Sequence, residues 1–146
     1  MKEDRPSLLK LTNYLYRYTQ SHMDQVLEEF QLSSGSYPFL LMLNKNEGIS
    51  QNQISKELNV DKAMSARTIK RLIELDYIKK EENPNDARAV RLYLTDRAKA
   101  VLPKLVLELR GWVDIITEGL TIQEKEAVVG ILEKIMDNAR AQRDKL

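Results

Sequence analysis

Residues 48–95 read GISQNQISKELNVDKAMSARTIKRLIELDYIKKEENPNDARAVRLYLT, and this stretch decides the fold. Ser50-Gln51-Asn52-Gln53 has the spacing of a capping box: the Ser50 hydroxyl accepts from the backbone three residues on, and Gln53 reaches back to the cap. The short helix it opens turns Ile54 and Leu58 inward. Asn59-Val60-Asp61 breaks it, and Asp61 is a good N-cap for a second helix to about Leu75. Two short helices so closely spaced form a helix-turn-helix. Tyr77–Glu81 and Val90–Leu94 then alternate apolar and polar residues on either side of Asn83-Pro84-Asn85-Asp86, the pattern of a β-hairpin. A hairpin directly after a helix-turn-helix is the wing of a winged-helix domain.

At 100° per residue, the helix from Asp61 puts Ser65, Ile69 and Leu72 on one side and Ala63, Arg67, Lys70 and Glu74 on the other. Ala66 flanks one edge, Met64 and Arg71 the other, and Lys62 stands at the start. Small residues near the start let a backbone enter the DNA major groove, and cations further along meet phosphate or guanine. A helix that reads DNA and an ordinary solvated basic face both fit this pattern. The hairpin favours the first. Arg88 stands near its tip and Arg91 on its return strand, and an arginine at a wing tip has the length and charge to enter a minor groove. Asp86, two residues before Arg88, either holds that guanidinium or caps the turn through an Asx interaction. The alternative for this pair is a surface ion pair of about 0–1 kcal/mol.

Outward from this segment the chain is helical in pattern. Leu8, Leu11, Leu15, Tyr18, Val26, Leu27 and Phe30 recur at helical spacing, ended by SSGS at 33–36. A helix is expected over about Tyr37–Asn44 with Pro38 in its first turn, followed by a turn at 45–48. Thr95 caps a long helix to about Gly119, in which Pro103 should produce a kink near Lys99 or a break. Thr121–Glu124 is a second capping box, and the helix it starts carries Val128, Ile131, Leu132, Ile135 and Met136 on one face.

Composition removes several functions. Of 146 residues 42% are hydrophobic and 31% charged, which suits one compact domain burying roughly 70% of its unfolded surface. There is no cysteine, and His22 is the only histidine, so thiol chemistry and a histidine metal cluster are out of reach of one chain. No nucleophile–base pair or phosphate loop appears, so no enzyme, catalytic residue, cofactor or metal is expected. No run approaches the ~20 apolar residues of a membrane span, and the N-terminus lacks a signal-type apolar core, so a cytoplasmic protein is expected. Residues 50–104 hold twelve Lys/Arg against eight Asp/Glu, a local +4 in a chain of net +1. A basic middle between acidic flanks points to a phosphate-facing surface.

Residues 32–95 resemble the multiple antibiotic resistance regulator (MarR) family. The likeness is carried by LSSGSYPFLLML at 32–43, by VDKAMSARTIKRL at 60–72 as the recognition helix, and by NPNDARAVRLYLT at 83–95, which resembles the family's D-x-R wing and Leu-Thr helix start. Three departures stand out. Asp76 occupies a position where the family usually has glycine, and is strained there if the backbone needs positive φ. Ser65 replaces a branched apolar residue and needs a hydrogen-bond partner if buried, such as the carbonyl of Asp61. Met64 and Ala66 stand where serine or threonine is frequent, which shifts base reading to Arg67 and to methyl contacts.

The expected fold is therefore mainly α with a small β-hairpin wing: one domain over 1–146, with a winged helix-turn-helix DNA-binding lobe at 32–95 and dimerisation helices at 7–30 and 96–143. The resemblance implies a homodimeric, sequence-specific transcriptional regulator. It implies repression at a pseudo-palindromic operator in double-stranded DNA, relieved by a small aromatic or anionic effector bound between dimerisation helices and DNA lobe. Apolar residues on the terminal helices, among them Leu8, Leu9, Leu120, Ile122 and Val129, exceed what one lobe covers, although packing within the monomer is the alternative. The expected site is Lys62, Ala63, Met64, Ala66, Arg67, Lys70 and Arg71 on the helix, with Asp86, Arg88 and Arg91 on the wing. Tyr14, Arg17, Tyr18 and Tyr37 are the expected effector lining, or else plain core. The alternative function is a winged-helix module that binds protein rather than specific DNA.

Overall fold

The computed structural model describes residues 6–83 and 85–145. Its elements run α1 (Pro6–Val26), a 3₁₀ turn (Glu28–Phe30), α2 (Tyr37–Lys45), α3 (Gln51–Leu58), α4 (Lys62–Glu74), β1 (Ile78–Asn83), β2 (Asp86–Leu94), α5 (Asp96–Ile116) and α6 (Ile122–Asp144). The chain divides into two compact units, Met1–Arg110 and Gly111–Leu146, so the division falls within α5.

Local chemistry sets most of these boundaries. Ser50 closes the capping box with Gln53 at the start of α3, and Thr121 does the same with Glu124 at the start of α6. Asp61 accepts from the Met64 amide at 2.7 Å and so starts α4. Asn59 ends α3 in the left-handed region, where asparagine is tolerated. The helical pattern that extends to Phe30 is broken earlier than its spacing suggests. The chain tightens into the 3₁₀ turn, and Gln31 turns left-handed at φ 59°.

The core of the first unit gathers Phe39, Leu40 and Leu43 from α2, Ile54 from α3, Ile69 and Leu72 from α4, and Tyr77, Ile78, Leu92 and Leu94 from the hairpin. Each buried large aliphatic contributes roughly 1.5–3 kcal/mol. The strands are longer than the pattern suggests, pairing antiparallel from Ile78↔Leu94 to Asn83↔Asp86, with an irregularity between Glu81 and Asn83. Leu92 also pairs with the segment before α3: Gly48 N donates to Leu92 O at 2.8 Å and Leu92 N to Ile49 O at 3.1 Å. The wing is thus tied to the entry of the helix-turn-helix. Gly48 is needed there, with φ 85° and an ideal Cβ only 3.3 Å from the Tyr93 hydroxyl oxygen.

Of the kink or break expected at Pro103 the break does not occur, and a second expectation is corrected. α5 passes through Pro103 without a break. Proline inside a helix costs about 3 kcal/mol or more, and burial of Ala98, Leu102 and Leu105 along the same helix offsets that cost. The second concerns Ser65, which is fully buried as the helical wheel requires. Its hydroxyl does not bond the Asp61 carbonyl; that carbonyl accepts the Ser65 backbone N–H instead. Ser65 Oγ is left as the one buried side-chain N or O atom without a partner among the described residues. The strain expected at Asp76 is present, with φ 61°.

The second unit holds the end of α5, a turn through Gly119, and α6. α6 has no buried residue: Ile122, Val128, Val129, Ile131 and Met136 are all 45–71% exposed. α1 likewise exposes Leu8, Leu9, Leu11 and Leu15. No helix among the described residues is long and apolar enough to cross a membrane.

Candidate nucleic-acid interface

The exposed side of α4 is laid out as its periodicity demands. Lys62, Ala63, Met64, Ala66, Arg67, Lys70 and Arg71 are all exposed, while Ser65, Ile69 and Leu72 anchor the opposite side. Ala63 and Ala66 present almost no side-chain bulk, so the backbone of the first two turns is open to close approach. Met64 is 49% exposed, an apolar contact placed beside them. Arg71 lies 3.8 Å from Glu74, and both are open to solvent, so this pair contributes little. Among the described residues, Arg67 and Lys70 appear in no such pair.

A concave surface of about 780 Å³ adjoins this helix. Ser50 and Asn52 at the start of α3, Ala66 and Lys70 on α4, and Lys80 and Val90 on the wing line it. Two ammonium groups and the start of α3 meet the Glu74 carboxylate there, and Lys80 also lies 3.5 Å from Glu82, so the cationic excess of this surface is small.

The wing residues separate in role. Asp86 opens β2, where it pairs with Asn83. The Arg88 side chain lies outside the described residues. Arg91 does not reach out along the hairpin: its guanidinium donates to the Gly48 carbonyl at 3.0 Å, bracing the wing against the turn before α3. Glu47 adds a second brace, accepting from the Leu94 amide at 3.0 Å and meeting Lys99 at 3.8 Å.

A second cavity, about 690 Å³, lies between α1, the Gln31–Ser36 segment, the start of α2 and the back edge of α4. Tyr16 and Gln20 reach it from α1, Ser33 and Ser36 from the loop, and Arg67 and Arg71 from α4. Tyr14, Arg17, Tyr18 and Tyr37 are not among its lining residues. Tyr14 and Tyr18 are 47% and 68% exposed, with the Lys10 ammonium 5.8 Å from the Tyr14 ring. Burial, reinforced by nearby Tyr16, raises the Tyr37 phenol above its ordinary value, so it stays neutral. Tyr16 carried no signal separating it from the other tyrosines of α1, because only the fold places one flank of that helix against the serine loop.

The fold has known counterparts. The MarR family profile matches residues 30–89. The HTH-type transcriptional regulator BilQ of Clostridioides difficile is 35% identical over 116 residues, 80% of this chain and 78% of its own. A solved MarR protein from Peptoclostridium difficile superposes with TM-score 0.91 at 29% identity, over 99% of this chain and 95% of that one. A MarR family regulator from Listeria monocytogenes, solved in complex with a 26mer DNA, shares the fold with TM-score 0.86 at 23% identity, over 97% of this chain and 92% of that one. With an exposed cationic helix, a braced wing and these relatives, the chain belongs to the MarR family of winged helix-turn-helix, DNA-binding transcriptional regulators.

Proposed function

We propose that two copies of the chain bind a pseudo-palindromic operator in the cytoplasm and repress transcription from it. The observation that carries this reading is the exposed side of α4, where Ala63 and Ala66 leave the helix slim, Met64 offers an apolar contact, and Arg67 and Lys70 add charge. Arg67 pairs with guanine O6 and N7, and Ala63, Met64 and Ala66 touch thymine methyl groups. Lys70 and Lys80 neutralise phosphates along the concave surface, and Lys62 and Arg71 do so from the exposed side of α4 outside it. Arg88 enters the minor groove from the wing, steadied by Asp86, while Arg91 keeps the wing in register through Gly48.

Dimerisation is supported by the apolar residues left open on α1 and α6, which exceed what single exposed side chains explain. A two-fold dimer presents two recognition helices to successive major grooves about 34 Å apart. In this reading residues 7–30 and 96–143 form the dimerisation helices and 32–95 the DNA lobe.

The second cavity suits a small aromatic anion: a tyrosine ring, several hydroxyls and two guanidinium groups converge in a volume typical of ligand sites. Such an effector engages Arg67 and Arg71, the same side chains that face DNA. Its occupancy therefore lowers DNA affinity by the difference in its own affinity for the two states.

The test is binding of the purified protein to the promoter duplex upstream of its own gene, against a scrambled duplex, at several salt concentrations. Preference for the promoter duplex that persists as salt weakens both is expected. Equal affinity for the two duplexes overturns sequence-specific regulation.

A further inference from the structure

The exit of α4 is held by an arrangement that the interface itself does not require. Three successive backbone carbonyls leave the end of the helix, and all three are taken by the start of α5. Arg97 donates through Nη1 to the carbonyl of Leu75. The Thr95 hydroxyl donates to Asp76 O at 2.6 Å, and the Thr95 amide to Tyr77 O at 3.1 Å. The same Arg97 guanidinium lies over the Tyr77 ring, 4.5 Å from its centroid. Tyr77 is fully buried, and its hydroxyl donates to Phe30 O at 2.6 Å, in the turn that follows α1.

We infer that Arg97 and Tyr77 are positioning residues for the recognition helix, clamping the end of α4 both to the first turn of α5 and to the Glu28–Phe30 turn. The end of a helix leaves carbonyls without intrahelical partners and a partial negative charge, and a guanidinium satisfies both. The cation also faces an aromatic ring, so its plane is fixed by stacking and not by one hydrogen bond. Burial raises the Tyr77 phenol, against the opposing pull of Arg97, so the hydroxyl remains a neutral donor to Phe30. The tilt of α4 decides where Ala63 and Arg67 meet a groove, and this tilt is set at the helix's far end by α5 and the turn after α1. Arg97 acts through Leu75 and Tyr77, with no contact to DNA of its own.

The inference rests on α4 as the base-reading helix, and the test separates the two. The probe is the tightest duplex that the wild-type full-length protein selects from a randomised library, compared with a scrambled duplex of the same composition. Arg97→Gln, Arg97→Lys and Tyr77→Phe are measured for affinity at several salt concentrations and for thermal unfolding. Arg97→Gln is expected to weaken binding to the selected duplex about tenfold, with Arg97→Lys recovering part of it. Binding to the scrambled duplex stays within about twofold, and the slope of log affinity against log salt is unchanged. Tyr77→Phe weakens selected binding in the same direction. A slope reduced by about one makes Arg97 a phosphate contact instead, and overturns the inference. So does equal weakening on both duplexes, or a lowered unfolding temperature with unchanged selective affinity. A wild-type protein that selects no duplex overturns the reading beneath it.

Discussion

Removing the Ser65 hydroxyl should stabilise the protein, because the buried oxygen has no partner among the described residues. Ser65 sits on the inner side of α4, wholly excluded from solvent, and its backbone N–H bonds Asp61 in the ordinary helical manner. The hydroxyl oxygen has lost water and gained nothing. A buried donor or acceptor left in this state costs about 1–3 kcal/mol. Ser65→Ala removes it and gains about 0.5 kcal/mol of helix propensity. Against this stands a void of one oxygen atom, which at roughly 24 cal/mol per Å³ costs a few tenths of a kcal/mol. The balance is a stabilisation of about 1–3 kcal/mol, or several degrees in unfolding temperature for a chain of this length. Urea unfolding followed by circular dichroism, at fixed protein concentration because the stability of the proposed dimer would depend on it, measures the change. The midpoint should rise with the slope unaltered. A destabilised alanine variant refutes the reasoning, since it means the hydroxyl is satisfied in solution, for instance by a buried water.

Asp76→Gly relieves a left-handed aspartate at φ 61° and should raise stability by about 0.5–1 kcal/mol in the same assay, whereas no gain would show that the turn at the end of α4 carries no strain. Gly48→Ala combines φ 85° with a Cβ 3.3 Å from the Tyr93 hydroxyl, and should cost about 1–2 kcal/mol. An unchanged midpoint would show that the turn and Tyr93 yield freely. Arg88→Ala should lower the salt slope of DNA binding by about one; an unchanged slope and affinity would remove the wing tip from the interface.

What the sequence made legible was local in origin. Ser50 and Gln53, Thr121 and Glu124, and Asp61 announce helix starts because a cap is a contact over three residues, and all three caps form. The inward placement of Ile69 and Leu72 followed from periodicity alone. Asp76 was recognisable through the resemblance, which supplied the backbone conformation that the residue itself does not announce. Features decided by distant partners were hidden. The continuity of α5 through Pro103 depends on the burial of Leu102 and Leu105, which local propensity does not register. Arg91 was read as a wing cation, yet the carbonyl it engages belongs to Gly48, forty-three residues earlier. Tyr77 and Phe30 are joined across forty-seven residues, and no spacing rule links them. The cavity that meets Arg67 and Arg71 is likewise built from segments far apart in the chain, so its tyrosine was not separable from its neighbours on α1.

The account turns on Arg67 reading a base from the exposed side of α4. Its most direct test is the affinity of Arg67→Ala for a panel of duplexes, each carrying one base-pair change in the sequence that the wild-type protein selects. The variant should lose about 1–3 kcal/mol on the selected duplex and become indifferent to the base at one position in each half-site. Uniform weakening over the whole panel, with every preference intact, would assign Arg67 to the phosphate backbone and contradict the account.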